Sequence, residues 1–166
     1  MYDNRKIRMS KREAIGEIAM ELRQLQQSFD AFDEAAAGRL ALNRTDLRCL
    51  DVVLAGGPLP AGRISVALKL SPAATTTVID RLERAGMVFR SPDPDNRRRV
   101  LVTATDAARS AEAEIFVPVG EAGVRALQGY GPDELAVILD FLRTARRIQE
   151  EQAARVRDLP EAAAGR

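Results

Sequence analysis

The most constraining feature of the sequence is a pair of short predicted helices separated by a tight turn. The first covers about Ala61–Leu68, and the turn is Lys69-Leu70. Ser71-Pro72 opens the second helix, because Ser is a preferred N-cap and Pro fits the first helical position. This helix extends over Pro72–Ala85 and stops at Gly86. The pattern is typical of a helix-turn-helix.

Two short stretches of alternating polarity follow this motif directly. They cover Met87–Arg90 and Arg99–Thr103, and the segment Ser91-Pro92-Asp93-Pro94-Asp95-Asn96 joins them. Because Pro, Asp and Asn favour turns, these stretches predict a β-hairpin. A hairpin placed immediately after a helix-turn-helix predicts a winged helix-turn-helix, whose second helix enters the major groove of DNA.

Long amphipathic helices flank this winged segment. The first covers Lys11–Ala37 and is closed by Gly38, and a shorter helix runs from its N-cap Asn43 to about Ala55. Asp106–Gln128 and Asp133–Val156 form the C-terminal helices, with a break at residues 129–132. Apolar residues recur every three or four positions in the outer helices, which indicates buried faces. One small winged domain cannot cover all of these faces, so we expect them to pair with a second copy of the chain. The residues expected in that dimer interface are Ile15, Ile18, Leu22, Leu135, Ile138 and Leu142.

The predicted fold class is mainly α: a winged helix-turn-helix with a β-hairpin wing, and long terminal helices that form a dimerisation region. We divide the chain into an N-terminal arm (1–10), an N-terminal dimerisation helix (11–42), a winged helix-turn-helix domain (43–105), C-terminal dimerisation helices (106–157) and a disordered tail (158–166).

The composition excludes several classes of protein. The apolar fraction of 46% and the charged fraction of 30% are those of a folded globular chain. The chain has no histidine and a single cysteine, Cys49, so enzymes of the Ser-His and Cys-His types are excluded. We expect a cytoplasmic protein that is not an enzyme and that needs no metal or cofactor. Cys49 is expected to be a buried structural residue rather than a redox switch.

Positive charge is concentrated in the winged segment. Between Pro60 and Val100 there are eight basic residues and four acidic residues, although the net charge of the whole chain is only +1. On the helix Pro72–Ala85, one face is apolar and the other is rich in small polar side chains that can approach base edges. Arginines at the tip of a wing can enter the minor groove. The residues expected to contact DNA are Arg63, Ser71, Ala73, Thr75, Thr76, Thr77, Arg81, Arg84, Arg97, Arg98 and Arg99.

The segment from Leu70 to Val88 resembles the recognition helix and first wing strand of the MarR (multiple-antibiotic-resistance regulator) family. The wing Asp93-Pro94-Asp95-Asn96-Arg97-Arg98-Arg99, with the alternating strand after it, is similar to the family pattern D-P-x-D-R-R. The resemblance extends over about residues 11–156. It implies a dimeric transcription regulator, expected to repress, that binds palindromic sites in double-stranded DNA and responds to a small-molecule effector of unidentified chemistry.

The chain departs from the family pattern at three positions. Asn96 stands where the family usually has Asp, so we expect the wing arginines to be less firmly held. Ala104 replaces a usual Leu, and Thr77 occupies a place where many relatives carry Arg, which argues against a bidentate guanine contact there.

An alternative function is a winged helix that binds another protein rather than DNA. Asp80 and Glu83, on the polar face of the second helix, favour this alternative. The basic triplet Arg97–Arg99 favours DNA, and this is the hypothesis that we prefer.

Overall fold

A computed structural model describes residues 9–96 and 98–160 of the chain. The N-terminal arm predicted for residues 1–10 and the tail predicted for 158–166 lie mostly outside the described residues, and so does Arg97. In these ranges the chain is mainly helical, with three short strands. The elements are α1 (Lys11–Arg39), α2 (Arg44–Gly56), β1 (Leu59–Pro60), α3 (Ala61–Leu68), α4 (Pro72–Arg84), β2 (Val88–Pro92), β3 (Val100–Ala104), α5 (Asp106–Ile115), α6 (Val117–Leu127) and α7 (Pro132–Arg157).

The start of α1 is fixed by a reciprocal cap. The main-chain N–H of Glu13 donates to the Ser10 hydroxyl, and the Glu13 carboxylate accepts from the main-chain N–H of Ser10 at 2.7 Å. The predicted end of this helix at Gly38 is wrong, because α1 continues to Arg39. The left-handed turn residue is Ala41, with a φ of 52°.

The sheet contains one strand more than the predicted hairpin. β2 and β3 pair antiparallel, with Val88 opposite Ala104, and β1 adds to the free edge of β3 through the pair Leu59 and Val102. The strand order is β1-β3-β2. The sequence did not predict β1, because a strand of two residues that ends in Pro60 has no alternating pattern and lacks a donor.

One hydrophobic core joins α2, α3, α4 and the sheet. Its largest fully buried side chains include Leu50 of α2, Ile64 of α3, Ile79 and Leu82 of α4, and Val102 of β3. The side chains come from elements predicted as amphipathic, and they meet because each short helix has a single apolar face. This core fixes α4 against the first helix of the motif and against the wing.

The described chain divides into two compact units after Phe116. The sequence predicted one helix over Asp106–Gln128, and this prediction is wrong, because α5 ends at Ile115 and α6 begins at Val117. Pro118 explains the break, since it has no N–H to donate and its ring clashes with the preceding helical turn.

The end of the first unit is held by aromatic packing. The rings of Phe32 and Phe116 meet edge to face, with their centroids 5.6 Å apart. Phe116 also packs on a small buried cluster formed by Ala36, Ala37 and Leu47. The contact attaches the C-terminal end of α5 to α1, so α5 belongs with the winged unit.

The second unit consists of α6 and α7 and has no interior of its own. Within Val117–Leu127 and Pro132–Arg157, no side chain is buried. Among the described residues, no helix combines the length and the apolar character needed to span a bilayer.

Candidate nucleic-acid interface

Helix α4 of the candidate interface is held in place by its N-terminal cap and by one buried face. The Ser71 hydroxyl accepts a hydrogen bond from the main-chain N–H of Ala74 at 3.2 Å, and Pro72 occupies the first helical position, as predicted. Val78, Ile79 and Leu82 are buried. With this face in the core, α4 presents its opposite face to solvent.

Three threonines in succession lie near the start of α4, and they do not share one environment. Thr76 and Thr77 are exposed, as expected of residues that face bases. Thr75 is only 1% exposed, and its hydroxyl donates to the main-chain oxygen of Ser71 at 2.9 Å. The Thr75 side chain therefore packs in the core, and its predicted contact with DNA stays a prediction.

Arg81 is held by a carboxylate from another helix. Its Nε atom donates to both oxygens of Asp46, at 3.0 and 2.9 Å, and its Nη2 atom lies 2.5 Å from Asp46 Oδ1. The Asp46 side chain is 4% exposed and that of Arg81 is 34% exposed. The hydrogen bond with Asp46 raises the pKa of Arg81. This bidentate pair gives Arg81 a structural partner, while its predicted contact with DNA stays a prediction.

The two acidic residues on the exposed side of α4 are neutralised by Arg90 from β2. Arg90 Nη2 donates to Asp80 Oδ1 at 2.5 Å, Nη1 pairs with Glu83, and the main-chain N–H of Arg90 donates to Glu83 Oε1 at 3.1 Å. These bonds join α4 to the first strand of the wing. They also neutralise the two carboxylates, Asp80 and Glu83, that favoured a protein-binding surface in the sequence.

The turn of the wing is organised around a buried carboxylate, Asp93. Its Oδ1 accepts the main-chain N–H of Asp95 at 2.9 Å, and its Oδ2 pairs with the guanidinium of Arg99. The hydrogen bond from Asp95, supported by that from Arg99, holds the pKa of Asp93 below its usual value. Asn96 accepts the main-chain N–H of Arg98 at 3.1 Å. Among the wing arginines, Arg99 is therefore held by the negatively charged Asp93 rather than by the neutral Asn96.

The other predicted DNA contacts on the described chain are accessible. Arg84 is exposed at the end of α4, and only its Nε atom is engaged, with the main-chain oxygen of Asp80 at 3.2 Å. The remaining exposed members of the predicted set are Arg63 on α3, Ser71 and Ala73 at the start of α4, and Arg98 and Arg99 on the wing.

Two residues that organise this surface were not among those predicted. Asp46 could have been noticed as an acid beside the apolar residues Leu47 and Leu50 of an amphipathic helix. Arg90 could not be assigned in this way, because its partners lie on a different element and are reached only when the wing packs against α4.

The chain's only thiol, Cys49, lies in the core beneath this surface. It is 0% exposed, and burial, together with the nearby charge of Asp46, raises its pKa to about 11. Among residues 9–96 and 98–160, no group of three or more Cys, Asp or Glu side chains has an arrangement suited to a metal ion.

The predicted dimerisation residues fall into two groups in the single chain. Ile15 (58%), Ile18 (46%) and Leu142 (48%) are exposed. Leu22, Leu135 and Ile138 are half-buried. The apolar stripes of α1 and α7 are therefore largely uncovered within one chain.

Comparison with known proteins relates the whole arrangement to one group of regulators. A MarR family model matches residues 42–100, which include α2, the helix-turn-helix and the wing up to the start of β3. The chain is 36% identical over 126 residues to the HTH-type transcriptional regulator YcgE of Bacillus subtilis, a match that covers 76% of this chain and 82% of YcgE.

Two solved structures illustrate the similarity in fold. A MarR family protein from Bacillus stearothermophilus superposes with a TM-score of 0.59 at 20% identity, covering 87% of this chain and 99% of that chain. A point mutant of MepR from Staphylococcus aureus, solved bound to an oligodeoxyribonucleotide, has a TM-score of 0.56 at 14% identity, covering 80% of this chain and 97% of that chain.

Proposed function

This chain belongs to the MarR family of transcriptional regulators, and we propose that it binds duplex DNA as a homodimer, with α4 in the major groove and the wing against the backbone. The family relationship rests on the extended similarity to YcgE and on the match to the winged segment. In MepR the same fold holds an oligodeoxyribonucleotide, which supports the same use here.

The observation that carries the proposal is the joining of α4 to the wing by Arg90. Because Arg90 binds Asp80 on the helix while its own main chain lies in β2, the helix and the wing are fixed relative to each other. The exposed cations Arg84, Arg98 and Arg99 then belong to one rigid surface that can meet phosphates on both sides of a groove.

The protein-binding alternative loses its main support from the same contacts. It depended on Asp80 and Glu83 as an acidic face, and both carboxylates are paired with Arg90. The exposed groups that remain on this side of α4 are small side chains and arginine, which suit a DNA groove better than an interface with another protein.

The homodimer is supported by uncovered apolar surface. Phe29 of α1 is 60% exposed and Leu142 of α7 is 48% exposed, although both helices are long and amphipathic. A monomer that left such stripes in water would forgo about 25 cal/mol for each Å² of apolar surface that a partner could cover. A two-fold dimer would also present two copies of α4 to a palindromic site.

Regulation by a small molecule is a further part of the proposal, and family membership is its support. An effector would bind the dimer and change its affinity for DNA, which requires different affinities for the DNA-competent and DNA-incompetent states. Titration of candidate ligands into a preformed complex, with DNA release as the readout, tests this part independently.

Selection of bound fragments from a random duplex library tests the DNA-binding function. We expect recovery of a two-fold symmetric site, with affinity that falls as the salt concentration rises. Arg98→Ala should weaken binding to specific and random duplexes alike and reduce the salt slope by roughly one unit for a lost phosphate contact. Arg155→Ala, at the far end of α7, is the matched control and should leave the slope unchanged. Failure to retain any duplex at low salt would overturn the proposal.

A further inference from the structure

Helix α4 presents methyl groups, rather than free hydroxyl donors, at the positions expected to face the bases. The hydroxyl of Thr76 donates to the main-chain oxygen of Pro72 at 3.0 Å, and that of Thr77 donates to the oxygen of Ala73 at 3.1 Å. A hydroxyl has a single proton to donate. Each exposed threonine therefore offers a partner its methyl group and the remaining acceptor capacity of its oxygen.

The charged side chains of α4 are similarly engaged. Asp80 and Glu83, which could accept from the amino group of cytosine, are held by Arg90. Arg81, which could bind guanine in a bidentate manner, is held by Asp46. Only Arg84 retains largely free donors, and it lies at the opposite end of the helix from the threonines. The N-terminal half of α4, residues 72–78, contains no Arg, Lys, Asn, Gln, Asp or Glu, so the usual polar readers of G·C pairs are absent there.

A second observation points to the same chemistry. A cavity of about 310 Å³ opens between α3 and α4, lined by Ala61, Gly62, Ser65, Pro72, Thr75 and Thr76. All three hydroxyls in this lining donate to main-chain oxygens: Ser65 to Leu70 at 2.6 Å, Thr75 to Ser71 at 2.9 Å and Thr76 to Pro72 at 3.0 Å. The other atoms that line the cavity are mostly carbon. Thr76 both lines the cavity and lies on the exposed face of α4.

We propose that Thr76 and Thr77 determine specificity by apolar contact with thymine 5-methyl groups in the major groove, with the cavity beside Thr76 receiving one of them. This inference rests on the proposed DNA-binding function and specifies what α4 reads. Thymine is the only base that presents a methyl group in the major groove of unmodified DNA. A small apolar wall therefore distinguishes A·T from G·C pairs without a hydrogen bond.

The test uses deoxyuridine, which keeps every hydrogen-bonding group of thymine and lacks only its methyl group. The full-length protein is titrated with a duplex from the random selection and with copies in which each thymine in turn is deoxyuridine. At one or more thymines within each half-site, the Kd should rise about fourfold, which corresponds to about 0.8 kcal/mol for a buried methyl-sized group. Thymines in the flanking sequence are the control and should tolerate the replacement.

Paired protein variants separate the methyl from the hydroxyl. Thr77→Val and Thr76→Val keep a methyl group and lose the hydroxyl, so the variant at the contacting position should bind the thymine duplex like the parent and remain sensitive to deoxyuridine. Thr77→Ser and Thr76→Ser keep the hydroxyl and lose the methyl, and the corresponding variant should bind less tightly and lose that sensitivity. Thermal unfolding of each variant verifies that the fold is intact.

The outcomes are distinct. If the parent binds the selected duplex and no deoxyuridine replacement changes the Kd, the thymine inference is overturned while DNA binding stands. The same holds if the serine variants bind like the parent and the valine variants do not, because the hydroxyls are then the readers. If the parent retains no duplex in the selection, the proposed function itself fails, and the inference fails with it.

Discussion

The guanidinium of Arg81 binds both carboxylate oxygens of Asp46, with its Nε atom 3.0 Å from Oδ1 and 2.9 Å from Oδ2. The pair joins the recognition helix α4 to α2 at a point where the carboxylate has almost no contact with water. Asp46 is itself fixed, because its main-chain N–H donates to the N-cap side chain of Asn43 at 2.9 Å. The start of α2 therefore helps to set the position of α4.

The two partners of this pair should respond differently to removal. Arg81→Ala leaves the buried Asp46 carboxylate without its counter-ion, so the free energy of unfolding should fall. Asp46→Ala leaves a guanidinium that can turn toward water, so its effect should be smaller. Urea unfolding of both variants measures the difference. Equal losses, or a larger loss for Asp46→Ala, would contradict this account.

Removal of Arg90 should weaken DNA binding through charge. Arg90→Ala leaves Asp80 and Glu83 uncompensated on the side of α4 that we propose faces DNA, and we expect the Kd for any duplex to rise roughly tenfold at low salt. The difference should shrink at high salt, since screening weakens repulsion between exposed charges. Binding to specific and random duplexes is measured over a series of salt concentrations.

A charge-neutral variant provides the control for Arg90. Adding Asp80→Asn and Glu83→Gln to Arg90→Ala removes the repulsion without restoring the link to the wing. Affinity for random duplexes should therefore return, whereas affinity for the selected site, which needs α4 and the wing in fixed positions, should stay lowered. If the triple variant binds random duplexes as weakly as Arg90→Ala, the role of Arg90 is to position the wing, and charge compensation is the wrong explanation.

The local elements of the fold could be predicted because each has its own signal in the sequence. Ser71 and Pro72 open α4, and Asn43 caps α2, where the sequence placed them. The winged architecture followed from the order of short elements. The hairpin strands were predicted to begin one residue early, at Met87 and Arg99. They also end later than predicted, β2 at Pro92 instead of Arg90 and β3 at Ala104 instead of Thr103.

The features that the sequence did not predict depend on contacts between distant residues. The apolar pattern of α4 predicts a buried face of Ala74, Val78, Ile79 and Leu82. In the structure Thr75 is buried instead of Ala74, because α3 packs closely against α4. The roles of Arg90 and Asp46 depend on the tertiary fold, which places Glu83 beside Arg90 and Arg81 beside Asp46. The break at Phe116 had a local signal in Pro118, but the apolar pattern continues across it.

The dimer should depend on the apolar stripe of α7. Leu142→Asp places a carboxylate among apolar side chains, where it would be left without a partner, and we expect the variant to sediment as a monomer at micromolar concentration. Ala136→Asp is the matched control, since it introduces the same charge on a different side of α7 and should leave the dimer intact. A parent protein that sediments as a monomer would refute the dimer itself.

Cys49 should behave as a buried thiol rather than as a sensor. Its side chain is 0% exposed, and its pKa of about 11 leaves roughly one thiolate in a thousand molecules at pH 8. A thiol-specific reagent should therefore modify the native protein far more slowly than the urea-unfolded protein, and peroxide should not change its affinity for DNA. Rapid native labelling, or a peroxide response that Cys49→Ala abolishes, would refute this prediction.

The raised pKa of Cys49 also predicts how stability depends on alkaline pH. Below the ordinary thiol pKa of 9.0, Cys49 is protonated in both the folded and the unfolded chain, so the contribution of the neutral buried thiol is fully present. Between about pH 9.0 and pH 11, the unfolded chain releases this proton while the folded chain retains it, and the free energy of unfolding must fall. Cys49→Ala lacks this component, so the stability difference between parent and variant should shift in favour of the variant across that interval. Urea titrations of both proteins at matched pH values measure this difference in stability. If the difference stays constant from about pH 8 to pH 11, the thiol ionises equally easily in the folded and unfolded chains, contrary to its burial.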